Sequence, residues 1–220
     1  MFWKETAWLH SYIFPAIWST FATPNYCSGL VLISHSMGVP PTIIAAALYA
    51  AEPAASRTYV LSGLVLAGWG APGCHKNLAM PIDVAAKDVR FPAEAKRLMM
   101  VSEPSLRLAD PDLLPLVDAQ SVGLPAEEML DARGSWPGYW TEYARLVQVP
   151  VLYRMGEHDW LWKTDDESRA MFRDAFTSCT SFDSGMIEEG CHALEMGWKA
   201  QEWYNTVFGF AKDVCQENAS

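Results

Sequence analysis

Gly29-Leu-Val-Leu-Ile-Ser-His-Ser-Met-Gly38 decides the reading of this 220-residue chain. Apolar residues run from Leu30 to Ile33, stop at Ser34, and give way after Gly38 to the Ala- and Ile-rich stretch Val39–Ala51. A run that is apolar on both faces is the mark of a buried parallel strand. The Pro40-Pro41 pair suits the first turn of a helix. The reading is strand, sharp turn, helix, with Ser36 at the apex. So sharp a turn strains the apex backbone and leaves room only for small residues two before and two after it. Ser34 and Gly38 meet that demand. The first N–H groups of the helix, Met37 foremost, then point at any oxyanion formed beside the Ser36 hydroxyl.

A serine is a weak nucleophile without a base, and the base needs an orienting acid. Val149–Asp159 reads as a short strand, a Gly turn and then Asp159. Gly190-Cys191-His192-Ala193-Leu194 places a histidine in a loop, after a strand-like Cys179–Asp183 and before a closing helix, Glu195–Val214. His10, His35, His75 and His158 compete with His192 for the base role, and Glu157, Asp165 and Asp166 compete with Asp159. His35 and His158 adjoin other motif residues, but neighbouring side chains on a turn point in different directions. His192 and Asp159 are favoured because each follows a strand, as the triad logic requires.

The order Ser, Asp, His, each after a strand, resembles the α/β-hydrolase superfamily over roughly residues 9–212. The resemblance implies an α/β fold: a mostly parallel sheet of about four recognisable strands, helices on both faces and a helical lid insertion. It assigns 1–73 and 148–220 to the core and 74–147 to the lid. It implies Ser36 as nucleophile, His192 as general base and acid, Asp159 as orienter and the Met37 N–H as an oxyanion donor. Ser34 departs mildly from the family's usual Gly. Within the lid, helical segments are expected at Asp83–Val89, Pro92–Val101, Pro111–Ala119, Ala126–Ala132 and Tyr139–Val147. His35, Trp69, Trp136 and Trp140 are candidates for the substrate pocket, with Met80, Met99, Met100, Leu113, Leu114 and Tyr139 as further apolar candidates. The competing reading is that most of these simply hold the lid helices together.

The family usually places about four strands before the elbow, yet only 35 residues precede Ser36. A short gene product, a truncated gene model and a rebuilt N-terminal half each account for this. The strand Gly29–Ser34 then lies at a sheet edge, and an apolar edge invites pairing. The N-terminal helix Leu9–Ala22, residues 1–6 or another chain is expected to cover it; a second copy in that place gives a homo-oligomer through this edge. An oxyanion donor from an early loop is also missing, and losing one donor costs about 100- to 1000-fold in rate.

Half the residues are hydrophobic and 19% are charged, which indicates a globular domain. A net charge of −10 argues against nucleic acid and anionic membrane surfaces as partners. Five scattered cysteines show no metal-type spacing, and their odd number fits a reducing, cytoplasmic setting. Ala7–Ala22 is too short and polar to span a bilayer, and Glu5 spoils the basic flank a signal peptide needs. No phosphate-cradling loop or dinucleotide fingerprint occurs, so no cofactor is expected. The expected activity is cleavage of an ester or thioester of a hydrophobic small molecule, as in small-molecule hydrolases of secondary metabolism. Acyl transfer or lyase chemistry on the same triad is an alternative. So is a catalytically impaired remnant that binds a ligand or a partner through the exposed edge.

Overall fold

Strand β2 (Leu61–Ala67) is buried along its whole length, because it has a neighbour on each side and helices on both faces. The computed structural model describes residues 6–77, 87–119 and 122–217. Its main sheet holds β1 (Leu30–His35), β2, β5 (Val151–Gly156) and β6 (Phe182–Ile187), in the order β1-β2-β5-β6. All three pairings are parallel. Alternation along β2 sends Leu64 and Leu66 to one face, against Ile43, Ile44, Phe172 and Trp136. Val65 and Ala67 go to the other face, with Leu152, Trp203 and Val207. This is the three-layer solution open to a sheet whose strands are apolar on both sides.

The helix Val39–Ala51 follows the elbow directly, and Val39, Ile43, Ile44 and Ala45 are fully buried. The closing helix covers the opposite face but spans Ala200–Glu217, later than the sequence suggests. Leu194–Met196 forms a separate short turn before it. The last strand is also later than expected, Phe182–Ile187 in place of Cys179–Asp183. Cys179 lies just after a turn and its thiol donates to the Phe176 carbonyl. β6 is an edge strand, so Asp183 and Ser184 are tolerated in it, and Arg154 pairs with Asp183 at 2.8 Å. A half-solvated strand carries no apolar run to announce it.

β1 forms the other edge. Its Ile33 is 52% exposed. The N-terminal helix, built of Leu9–Ile13, Phe14–Ile17 and Trp18–Ala22, packs Phe14 and Trp18 onto the core and leaves Trp8, Tyr12 and Phe21 exposed. His10, a rival for the base role, is occupied inside this packing, bonded to the Tyr59 hydroxyl at 2.7 Å and Glu52 at 3.2 Å.

The helix Ala93–Val101 is as expected within a residue. Asp88–Val89 is instead strand β3, paired antiparallel with β4 (Leu124–Pro125); the rest of the expected Asp83–Val89 helix lies mostly outside the described residues, as does Met80. Ala126–Leu130 runs through the wider turn Asp131–Ser135 into the helix Trp136–Ala144. That last helix is packed into the core. Trp136, Trp140, Ala144 and Val147 are buried in the main core, and Trp140 stacks on Phe172 with ring centroids 5.3 Å apart.

Candidate active site

Ser36 stands at the end of β1 with φ at +53°, a left-handed conformation that a serine adopts only at some cost in backbone energy. The strain is held by the strand before it and the helix after it. Across the turn, a Cβ added to Gly38 would stand 3.7 Å from the Ser34 Cβ, an ordinary van der Waals contact, so the two small residues face each other across the elbow. Ser34 donates its hydroxyl to the Val65 carbonyl at 3.2 Å, which gives this buried polar side chain a partner within the sheet.

The Ser36 hydroxyl lies 3.0 Å from His192 Nε2, and His192 Nδ1 lies 2.7 Å from Asp159 Oδ2. An ionised Asp159 accepts, so Nδ1–H donates and Nε2 is left to accept the serine proton. Both His192 and Asp159 are 1% exposed. The second Asp159 oxygen accepts from the backbone N–H groups of Leu161 at 2.8 Å and Trp162 at 3.1 Å. Three donors thus fix the carboxylate in one rotamer. The loop that holds it is itself held: Lys76 donates its ammonium to the Asp159 carbonyl at 3.1 Å, and residues 74–76 bond to residues 161–163 through Lys76 N to Leu161 O and Lys163 N to Cys74 O.

The rival acids have other work. Asp165 caps the helix Asp166–Arg173 through the Ser168 N–H, Asp166 pairs with Arg169, and Glu157 accepts from the Glu189 N–H. His158 faces Glu157 at 3.7 Å. Cys191, beside His192, is fully buried, donates to the Ala193 carbonyl and has its thiol pushed up to about 11 by burial. It is not a competing nucleophile at neutral pH.

Sequence reasoning missed Gly68, whose φ is +64°. A Cβ there would stand 2.6 Å from His35 Nε2 and 3.1 Å from His192 Cε1. Only glycine lets the loop after β2 pass this close to both rings. The signal was present in Gly68-Trp69-Gly70, but it reads as an irregular loop without the fold. Gly68→Ala is expected to displace His192 and lower kcat by about 10- to 100-fold, since small misplacements of a catalytic group carry penalties of that size. Steady-state kinetics beside a thermal melt separate this from unfolding; an unchanged kcat in a folded variant refutes it.

His35 lines the cavity, and it also donates Nε2–H to the His192 carbonyl at 2.8 Å. Burial, and then the neighbouring His192 ring 4.6 Å away, hold His35 below the usual histidine range. It stays neutral and steadies the backbone that carries His192. Trp69 lines the cavity too, its carbonyl fixed by the Tyr153 hydroxyl at 2.9 Å.

Trp136 and Trp140 do not line this cavity. They are 1% and 6% exposed within the core, because their helix packs beside Val39–Ala51. Tyr139 bonds Asp131 through its hydroxyl at 3.1 Å. Of the apolar candidates, Met99 and Met100 reach the cavity. Its volume is about 240 Å³, and Ser36 and Met37 form part of its wall.

No protein-family model matches the chain and no curated protein matches it in sequence. Solved structures do match in fold. MenH from S. aureus superposes with a TM-score of 0.58 at 16% identity, over 97% of this chain and 76% of that one. The N-acyl homoserine lactonase AidH complexed with N-hexanoyl homoserine gives 0.54 at 15% identity, over 88% and 66%. The serine hydrolase CCSP0084 from Cycloclasticus zankles gives 0.53 at 12% identity, over 87% and 66%. The chain spans 58 to 76% of the length of eight structures that it matches. It has an α/β-hydrolase fold in shortened form.

Proposed function

We propose that this chain is a serine hydrolase that cleaves an ester or thioester of a hydrophobic small molecule. The observation that carries the reading is the hydrogen-bonded series Ser36–His192–Asp159, buried at its inner end and open at Ser36 to an apolar cavity. Ser36 Oγ attacks the carbonyl carbon as His192 Nε2 takes its proton. The charge moves to the carbonyl oxygen, for which the Met37 N–H is the donor we assign. The tetrahedral intermediate collapses, the bond to the leaving group breaks, and His192 returns the proton to that group. Water, deprotonated by His192, then attacks the acyl-enzyme, and the acid leaves as Ser36 regains its proton. Asp159 holds the imidazole in the tautomer this requires and offsets its charge.

The lining of the cavity supports an apolar acyl or aromatic group in the substrate. His35, Trp69, Met99 and Met100 belong to the wall. A fluorophosphonate probe tests the reading directly. Wild type is expected to label, and Ser36→Ala to lose all labelling while keeping its melting temperature. Folded wild type that resists the probe would falsify the proposal and favour a ligand-binding role for the same cavity.

A further inference from the structure

The helix Ala93–Val101 separates two cavities. It turns Ala95, Met99 and Met100 to the catalytic one and Glu94, Leu98 and Val101 to a groove of about 840 Å³ on its other side. Leu98, Val101 and Leu114 give this groove an apolar floor. Trp198 forms one side of it and is 63% exposed. Its backbone is fixed by an N–H bond to the Leu108 carbonyl at 2.9 Å. Ser102 also lines the groove and is only 5% exposed. Its hydroxyl meets no hydrogen-bond partner among the described residues, whereas buried polar groups are normally paired. Its φ of +65° is a conformation that serine adopts only at a cost. Three carboxylates stand around the groove, those of Glu94, Glu103 and Asp110. Asp110 accepts from the Asp112 N–H of its own turn, while Glu94 and Glu103 enter no ion pair among the described residues. Of the two guanidiniums there, Arg97 is paired with Asp118. Arg107 alone faces the three acids, so negative charge prevails. The helix ends at Val101, and its C-terminal carbonyls favour a cation there as well.

We infer that this groove is a second binding site, for a protonated primary amine carried on an aromatic or aliphatic body. The ammonium donates to the Ser102 hydroxyl oxygen and to the surrounding carboxylates, which are acceptors only. The body lies on Leu98 and on the face of Trp198, whose ring also attracts the cation. A quaternary ammonium has no N–H for Ser102, and an anion meets the carboxylates with like charge. The site does not depend on Ser36 acting as a nucleophile.

The test is isothermal titration calorimetry of the full chain with phenethylamine, phenethyl alcohol and hydrocinnamate, which share a ring and differ in the charge at the far end. The protonated amine is expected to bind at least about tenfold more tightly than the alcohol, the size of a charge-assisted bond with a cation–π contact beside it. Hydrocinnamate is expected to bind more weakly than the alcohol. Ser102→Gly removes the hydroxyl at a φ that glycine accepts, and Trp198→Leu changes an exposed ring. Each is expected to weaken the amine by about threefold or more. Glu94→Gln with Glu103→Gln is expected to bring the amine to the affinity of the alcohol, and Arg107→Gln to tighten it. Equal binding of amine and alcohol overturns the inference, as does tighter binding of hydrocinnamate. So does a preference for the amine that survives Trp198→Leu and the paired glutamate variants, or no binding of the amine at about 10 mM. Fluorophosphonate labelling plays no part in these affinities, so the hydrolase reading and the amine site stand or fall separately.

Discussion

Asp159→Asn is expected to lower kcat by about 10,000-fold while leaving the fold intact. The reason lies in what surrounds the carboxylate. One oxygen accepts from the Leu161 and Trp162 N–H groups, and an amide nitrogen placed there would face two donors. The asparagine therefore turns its oxygen to the backbone and its NH₂ to His192. His192 Nδ1 must then accept, its proton moves to Nε2, and Nε2 can no longer take the proton of Ser36. The wrong tautomer is imposed by two backbone amides. Turnover of a p-nitrophenyl ester, with the fluorophosphonate labelling rate as a second readout, measures the effect. A loss below about tenfold removes Asp159 from the role of orienter and returns the search to the other acids near His192.

Gly156→Ala carries the second large effect, on stability and activity together. Gly156 ends β5 where the loops bearing Asp159 and His192 cross. An added Cβ there would overlap the Cys191 carbonyl oxygen and stand 2.7 Å from that of Gly190. Neither neighbour is a flexible side chain. The backbone is pinned by His158 N to Gly190 O at 2.8 Å and Glu157 N to Ile187 O at 3.0 Å. Parting the loops breaks these bonds and draws Asp159 away from His192. We expect a destabilisation of about 3 kcal/mol, the upper end for overpacking a rigid site, with loss of turnover in whatever remains folded. Gly209→Ala is the matched control. It lies in the helix Ala200–Glu217 with open space around its Cα and is expected to stabilise by about 0.5–1 kcal/mol. Denaturant unfolding distinguishes the two. If Gly156→Ala melts with the wild type, the close packing of the two loops is not a constraint on the fold.

The parts that could be read directly from the chain are those with local causes. The elbow is legible because its strand, apex and helix are contiguous and each leaves a compositional mark, from Leu30–Ile33 to Pro40-Pro41. β2 and β5 are legible because burial on both faces favours apolar runs, Leu64–Ala67 in one and Val151–Tyr153 in the other. β6 is displaced in the reading because an edge strand has no such run, and its place is set by pairing with β5 from Val151–Phe182 to Gly156–Ile187. Trp136 and Trp140 illustrate the opposite failure. A tryptophan on such a helix has the same sequence signature whether it faces a ligand or the core, and the helix's packing beside Val39–Ala51 makes them core residues. The interest of Gly68 was likewise invisible, since it comes from the His35 and His192 rings that stand across a gap.

By itself, the sequence determined the class of fold, the position of the strained serine and the order in which an acid and a histidine follow it. These depend on short-range backbone preferences and hydrophobic periodicity, which a linear chain displays in full. Only the tertiary structure decided which acid meets which histidine. Asp159 and His192 are 33 residues apart and His192 and Ser36 are 156 apart. Their meeting depends on parallel strands ending at the same edge and on loops knit together by backbone bonds. The direction of each side chain is fixed there by its neighbours across the gap.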